Sequence, residues 1–203
     1  KSLTMKNWFT LLFCLTLMSC NTAQNVAKTP NNTNNVEVTK IWDAAPHNAF
    51  TDLIRFKGAF YCSFREGSRH VPGTNGKARI LRSVDGEKWE SIALLEKTDI
   101  DLRDPKISVT PDNRIMVMIG GSVYKNSKLL GMYPQVSISD ASGLNFSAPE
   151  PAIIDSAIAS GMNWIWRITW HNDYGYGIDY GNRFVHLVRT KDGKTFEKVC
   201  KLD

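Results

Sequence analysis

The sequence predicts an all-β protein, a β-propeller of four-stranded blades, and three observations carry that prediction. One turn motif recurs, strand-like segments fall into three groups of four around it, and helical periodicity is weak throughout. The motif is clearest at Arg82-Ser83-Val84-Asp85-Gly86-Glu87-Lys88-Trp89 and returns as Arg189-Thr190-Lys191-Asp192-Gly193-Lys194-Thr195-Phe196. A degenerate copy stands at Ser139-Asp140-Ala141-Ser142-Gly143-Leu144-Asn145-Phe146. Asp-Gly favours a tight turn, because glycine accepts positive φ and the Asp side chain bonds nearby backbone N–H groups. Asp85, Asp140 and Asp192 are spaced 55 and 52 residues apart, close to the period of repeated blades.

Taken in order, the chain opens with a leader. Met5-Lys6-Asn7 begins a short basic region, and Trp8 to Met18 is an apolar run too short to span a bilayer but suited to a signal-peptide core. Leu17-Met18-Ser19-Cys20 resembles a bacterial lipobox, which makes Cys20 the expected lipidated residue and a lipid anchor the only expected membrane contact. Residues 1–20 are therefore read as a signal peptide with lipobox. Residues 21–35, rich in Asn, Thr and Ala, are read as a flexible linker. The expected location is the bacterial cell envelope. From 36 to 203 the pattern is a partial propeller.

Val36 to Trp42 alternates and reads as a lone strand. The first blade is then Phe50 to Phe56, Ala59 to Arg65, Lys77 to Val84 and Trp89 to Glu96. The second is Pro105 to Thr110, Arg114 to Gly120, Pro134 to Asp140 and Ser147 to Ile154. The third is Trp164 to His171, Tyr174 to Tyr180, Arg183 to Thr190 and Phe196 to Leu202. Turns come from Lys57-Gly58, Pro111-Asp112-Asn113 and Asn172-Asp173. Only Leu129 to Met132 and Asp155 to Met162 admit a helical turn. Three blades would leave an open edge, so the expectation is an N-terminal half, about three blades of six.

Composition bounds the partners. The 203 residues are 42% hydrophobic and 22% charged, an ordinary globular balance. The net charge of +5 is modest and no two Lys or Arg are adjacent, so there is no clustered nucleic-acid footprint. The four cysteines make no C-x-x-C pair. Cys62 and Cys200 fall in apolar strand patterns, as buried thiols or as a disulfide. The four histidines are dispersed, and no metal-ligand cluster or cofactor motif is evident.

Turn alternation locates a site. In a four-stranded meander the Asp-Gly turns share a face with the turns between first and second strands. Chemistry belongs on the opposite face, which carries the starts of the inner strands and the long loops Glu66 to Gly76 and Gly121 to Tyr133. Asp52, Arg103-Asp104 and Arg167 stand there, at the inner strands of consecutive blades. Arg65, Glu66, His70, Tyr180 and, beside Arg167, His171 complete the set. Arginine forks suit carboxylates, and carboxylates perform glycosidic acid/base or nucleophilic work. The candidate catalytic residues are Asp52, Glu66 and Asp104. The candidate sugar-binding residues are Arg65, His70, Arg103, Arg167, His171 and Tyr180.

The Asp-Gly motifs, with Phe50-Thr51-Asp52, Tyr61-Cys62-Ser63-Phe64-Arg65-Glu66, Leu102-Arg103-Asp104-Pro105-Lys106 and Trp164-Ile165-Trp166-Arg167, resemble the sialidase superfamily. There the motifs are Asp-boxes, or BNR repeats. The likeness is to a bacterial envelope subgroup called sialidase-like, and it covers 36–203. It implies a six-bladed propeller with its pocket opposite the boxes. The family's first-blade Arg has no counterpart, since Phe50-Thr51-Asp52 stands at that place. Its catalytic Asp is likewise absent from the loop 67–76. Its Tyr nucleophile and partner Glu belong to later blades. The leading expectation is an exo-acting glycoside hydrolase on a terminal, anionic or polyhydroxylated sugar of a glycan. The alternative is a non-catalytic glycan-binding propeller lipoprotein. An envelope scaffold is the third.

Overall fold

A computed structural model describes residues 37–71, 73–181 and 183–202. The leader, Cys20, the linker and Val36 lie outside them. The described residues contain no helix, and they form three antiparallel blades of a propeller. In the first, β1 (His47–Phe56), β2 (Ala59–Gly67), β3 (Lys77–Ser83) and β4 (Glu90–Leu95) pair in chain order. In the second, β5 (Asp101–Val109) pairs β6 (Ile115–Lys125), which pairs both β7 (Lys128–Met132) and β8 (Gln135–Ile138), and β8 pairs β9 (Glu150–Pro151). In the third, β11 (Ile165–His171), β12 (Tyr174–Asp179), β13 (His186–Thr190) and β14 (Thr195–Lys201) form the meander. β10 (Ile153–Ile154) lies parallel along the outside of β14.

Alternation explains the packing. On β6, Ile115, Val117 and Ile119 join the core shared with blade 1, whereas Met116 and Met118 join the core shared with blade 3. A strand covered on both faces must be apolar throughout, which accounts for the run Ile-Met-Val-Met-Ile. The innermost strand β5 packs against both β1 and β11.

Three elements depart from the sequence expectation, as does the burial of one cysteine. Residues 37–43 join no sheet. Trp42 instead lays its ring 6.5 Å from Phe64 and closes the outer face of blade 1 with Trp89, over Cys62 and Leu81. Residues 129–132 are strand, because alternation continues beyond Gly120-Gly121 and doubles back at Asn126-Ser127. The fourth strand of blade 2 is cut short at Glu150–Pro151, since proline cannot donate to a ladder. The chain then crosses to β14, with Ile153 N–H donating to Lys194 O at 2.9 Å. Cys62 and Cys200 are both free, and Cys200 is exposed. The other helical turn is real but single, closed by Ala159 N–H to Asp155 O at 2.9 Å.

The Asp-Gly turns are wired as their residue types dictate. Asp85 Oδ1 accepts the N–H groups of Glu87 and Lys88 at 2.9 and 2.8 Å, while Ser83 Oγ accepts that of Gly86 at 2.8 Å. Asp192 and Thr190 repeat the arrangement. Gly86 and Gly193 sit at φ 82° and 75°, a region glycine occupies without strain. The degenerate copy also holds, with Asp140 Oδ1 accepting from Gly143 N–H at 3.0 Å.

A buried ion pair joins blades 1 and 2. Arg65, fully enclosed, donates Nε and Nη2 to Asp101 Oδ1 at 3.0 and 2.8 Å, and Nη1 to Arg69 O at 3.1 Å. A Cβ on Gly76 would fall 2.3 Å from Arg65 Nε, so only glycine admits the guanidinium there. Removing one partner of a buried pair leaves an uncompensated charge. Arg65→Ala should therefore cost about 3–5 kcal/mol in denaturant unfolding. A loss below about 1 kcal/mol, the size of an exposed pair, would contradict this placement.

Candidate functional site

Each inner strand bears a β-bulge near its start. Phe50-Thr51 on β1, Asp104-Pro105 on β5 and Arg167-Ile168 on β11 each set two residues against one on the neighbouring strand. A bulge bends a strand and re-aims its side chains. Pro105 suits the irregularity because it has no N–H to give to the ladder. Asp104 takes φ 45° and Phe50 φ 64°, left-handed values that cost a non-glycine residue strain. The register shows which residues are equivalent: Phe50, Asp104 and Arg167 occupy one position. Asp52 stands two residues further along, level with Lys106.

Arg103 and Asp104 form the centre of the mouth. Arg103 Nη1 donates to Tyr124 Oη at 3.1 Å, and Nη2 lies 3.2 Å from His70 Nε2. Arginine has no acceptor, so His70 Nε2 must accept and its proton sits on Nδ1. The guanidinium also lies 5.8 Å from the centre of the Phe50 ring. His70 is itself packed on Phe50 and His47, with ring centres 5.4 and 5.8 Å away. Two of the histidines that look dispersed in sequence thus meet.

Asp104, lining the mouth, carries an uncommitted oxygen. Its buried Oδ1 has no hydrogen-bond partner among the described residues, and neither has Arg103 Nε. Burial pushes the Asp104 carboxyl above the usual carboxylate range, against the opposing charges of Arg103, Lys106, His70 and Arg65. Burial and the Asp104 charge together raise the Tyr180 hydroxyl. Arg103, Asp104, Ser122, Tyr124, Trp164 and Tyr180 line a cavity of about 290 Å³ there, closed on one side by Leu129 and Met132 of β7.

The aromatic wall is built by close approach. A Cβ on Gly120 would lie 2.2 Å from the Trp164 ring, so glycine lets the indole rest on β6. Asp179 fixes the backbone beneath it, accepting Trp164 N–H at 3.0 Å and the Asn163 amide at 2.7 Å. Tyr180 meets Trp166 edge to face, with ring centres 6.3 Å apart.

The remaining predicted residues have other work. Asp52 accepts Ile107 N–H through Oδ2 at 3.0 Å and Arg167 Nη1 through Oδ1 at 2.5 Å, so both oxygens are engaged. Arg167 keeps its outer edge exposed beside Trp166. Arg65 has no surface in the mouth, being enclosed with Asp101. Glu66 is buried, with Oε1 taken by Trp42 Nε1 and Arg79 Nε and Oε2 by Arg79 Nη2. His171 lies at the opposite end of β11, in the hairpin with Tyr174, on the face of the Asp-Gly turns. The polar atoms of Asp52, Arg65 and Glu66 are thus committed to partners within the fold. Tyr124, Ser122 and the β7 wall were not foreseen. Their signal was the alternation Ser122-Val123-Tyr124 beyond the glycine pair.

No family model matches the chain, and no curated protein matches it. Solved structures match its fold. A glycosyl hydrolase from Bacteroides ovatus superposes with TM-score 0.54 at 14% identity, covering 77% of this chain and 49% of that one. A Bombyx mori GH32 beta-fructofuranosidase in complex with sucrose gives 0.58 at 14%, over 77% and 35%. Trypanosoma rangeli sialidase in complex with the inhibitor DANA gives 0.56 at 10%, over 77% and 31%. At these identities the likeness is one of fold, that of propeller glycoside hydrolases. The chain spans half or less of the length of each.

The steric role of Gly120 is directly testable. Gly120→Ala should displace the Trp164 indole, altering near-ultraviolet circular dichroism while leaving the far-ultraviolet spectrum intact. The overpacking should cost about 1–3 kcal/mol. An unchanged near-ultraviolet spectrum would contradict the contact.

Proposed function

We propose that the protein is a glycoside hydrolase acting on a terminal sugar of a glycan, with Asp104 as its general acid and Arg103 as its principal sugar-binding group. The observation that carries this reading is the half-buried Asp104 carboxyl, strained in a bulge, with an unpartnered oxygen and an upward-shifted pKa. A carboxyl whose charged form is disfavoured by burial is the better donor of a proton to the glycosidic oxygen as the bond breaks. Arg103, lining the same cavity, brings a guanidinium for a carboxylate or for vicinal hydroxyls. Trp164 and Tyr180 supply the apolar faces that cover the C–H side of a sugar ring. The similar solved structures named as a glycosyl hydrolase, a beta-fructofuranosidase and a sialidase support the class.

The reaction also needs a group on the opposite side of the sugar. Asp52 and Glu66 are not free to supply it, so the reading assigns only the acid. A second reading, a glycan-binding propeller without turnover, is favoured by the cavity lining of Arg103, Trp164 and Tyr180, which suits sugar binding by itself. In either case the lipobox-like Leu17-Met18-Ser19-Cys20 supports attachment to a bacterial envelope.

Two substitutions in the full-length protein separate the readings on a glycan panel. Asp104→Asn should lower turnover by about 10²-fold or more while binding persists, and Arg103→Ala should weaken binding itself. Wild-type turnover by the Asn variant would remove Asp104 from the mechanism. Binding by the wild type with no turnover of any glycan would establish the second reading.

A further inference from the structure

A second cavity lies beside the mouth, and the chemistry assigned to Asp104 does not use it. Tyr124 is common to both, lining the Asp104 cavity and also a polar cavity of about 220 Å³. Asn75, from the loop after β2, walls the second cavity with Asp101 at the start of β5 and with Asn126 and Ser127 at the tip of the β6–β7 hairpin. Asn75 in turn lines a third hollow, of about 290 Å³, that continues to Lys77 and Lys97 beside the start of β3 and the end of β4. The three hollows therefore follow one another across the mouth face, from the inner strands outwards along the junction of blades 1 and 2.

The chemistry of the second cavity is specific. Asp101 Oδ1 accepts all three N–H groups that hold this carboxylate, two from Arg65 and that of Gly76 at 2.6 Å. Its Oδ2 accepts none from the described residues. Arg65 already balances its charge, so the wall has no net charge to offer an ion. The side chains of Asn75, Asn126 and Ser127 make no hydrogen bond to described residues either. Two amides, a hydroxyl and a neutralised carboxylate oxygen make a mixed set of donors and acceptors. Such a set fits an uncharged, polyhydroxylated ring.

We infer that this cavity is a second sugar subsite. It holds a neutral sugar joined to the terminal residue seated against Arg103 and Asp104, so the ligand is an oligosaccharide. The inference rests on the glycan reading above. Tyr124 stands between the two subsites, its hydroxyl engaged by Arg103.

The hairpin tip allows a clean test. Asn126 and Ser127 take φ 50° and 63°, so glycine at both keeps the turn while removing both side chains. The full-length protein, its N126G/S127G variant and an Asn75→Ala variant would be applied to an array printed with single sugars and their matched di- and trisaccharides. The wild type should favour oligosaccharides over their terminal single sugar by about tenfold or more, the yield of a few neutral hydrogen bonds. Both variants should lose most of that preference while single-sugar binding stays unchanged. Preference retained in both variants, or absent from a wild type that binds single sugars, would overturn the subsite. A wild type that binds no glycan would overturn the glycan reading itself.

Discussion

One carboxylate ties the three blades together. Asp52 belongs to β1, its Oδ2 accepts the Ile107 N–H of β5 at 3.0 Å, and its Oδ1 meets Arg167 of β11 at 2.5 Å. Main-chain bonds between blades, such as Leu102 N–H to Gly76 O at 3.0 Å, are joined by side chains in fixing the blades' relative position. Two further links sit at the same level. Ser63 Oγ donates to Pro105 O at 2.7 Å, and Lys106 Nζ to Thr51 O at 3.2 Å. Together they clamp the β5 bulge from blade 1. Strain at a non-glycine φ persists only where its surroundings over-determine it, and Asp104 is so placed.

The two faces of the molecule use aspartate in opposite ways. On the turn face, N–H groups from Lys88 and Glu87 hold the Asp85 carboxyl below its usual range. Burial works to raise Asp192, but N–H groups of Thr195 and Lys194 and the hydroxyls of Thr190 and Thr195 outweigh it, holding it at about 2. These carboxylates are held by donors of their own turns. On the mouth face Asp104 is desolvated and incompletely paired, and its shift runs upward. A carboxyl shifted upward by burial in a cleft is suited to proton transfer.

What could be read from the sequence was local. Asp-Gly turns carry their hydrogen bonds within a few residues, so the turns of Asp85, Asp192 and even the degenerate Asp140 are legible in the sequence, and with them the blades. Arg103, Asp104, His70 and Tyr180 followed from the face opposite those turns. What could not be read depended on partners far along the chain. Arg65 and Glu66 are adjacent in sequence, yet they point to opposite sides of β2 and find Asp101 and Arg79 respectively. Nothing local distinguishes them from mouth residues. A bulge likewise shifts register without a mark in the hydrophobic pattern, so nothing in the sequence shows that Asp52 is level with Lys106 and not with Asp104. His171 was judged by its neighbours in sequence, although seven residues of strand carry it to the far end of β11.

The central claim is that the bulge of β5 presents a desolvated acid in the mouth. Carboxyl carbon NMR of the full-length protein across pH tests it, with the Asp104 resonance assigned by its loss in Asp104→Asn. The midpoint should lie above the ordinary aspartate value of about 3.9. A midpoint at or below that value would mean a solvated or paired carboxylate, and would contradict the assignment of Asp104 as the acid.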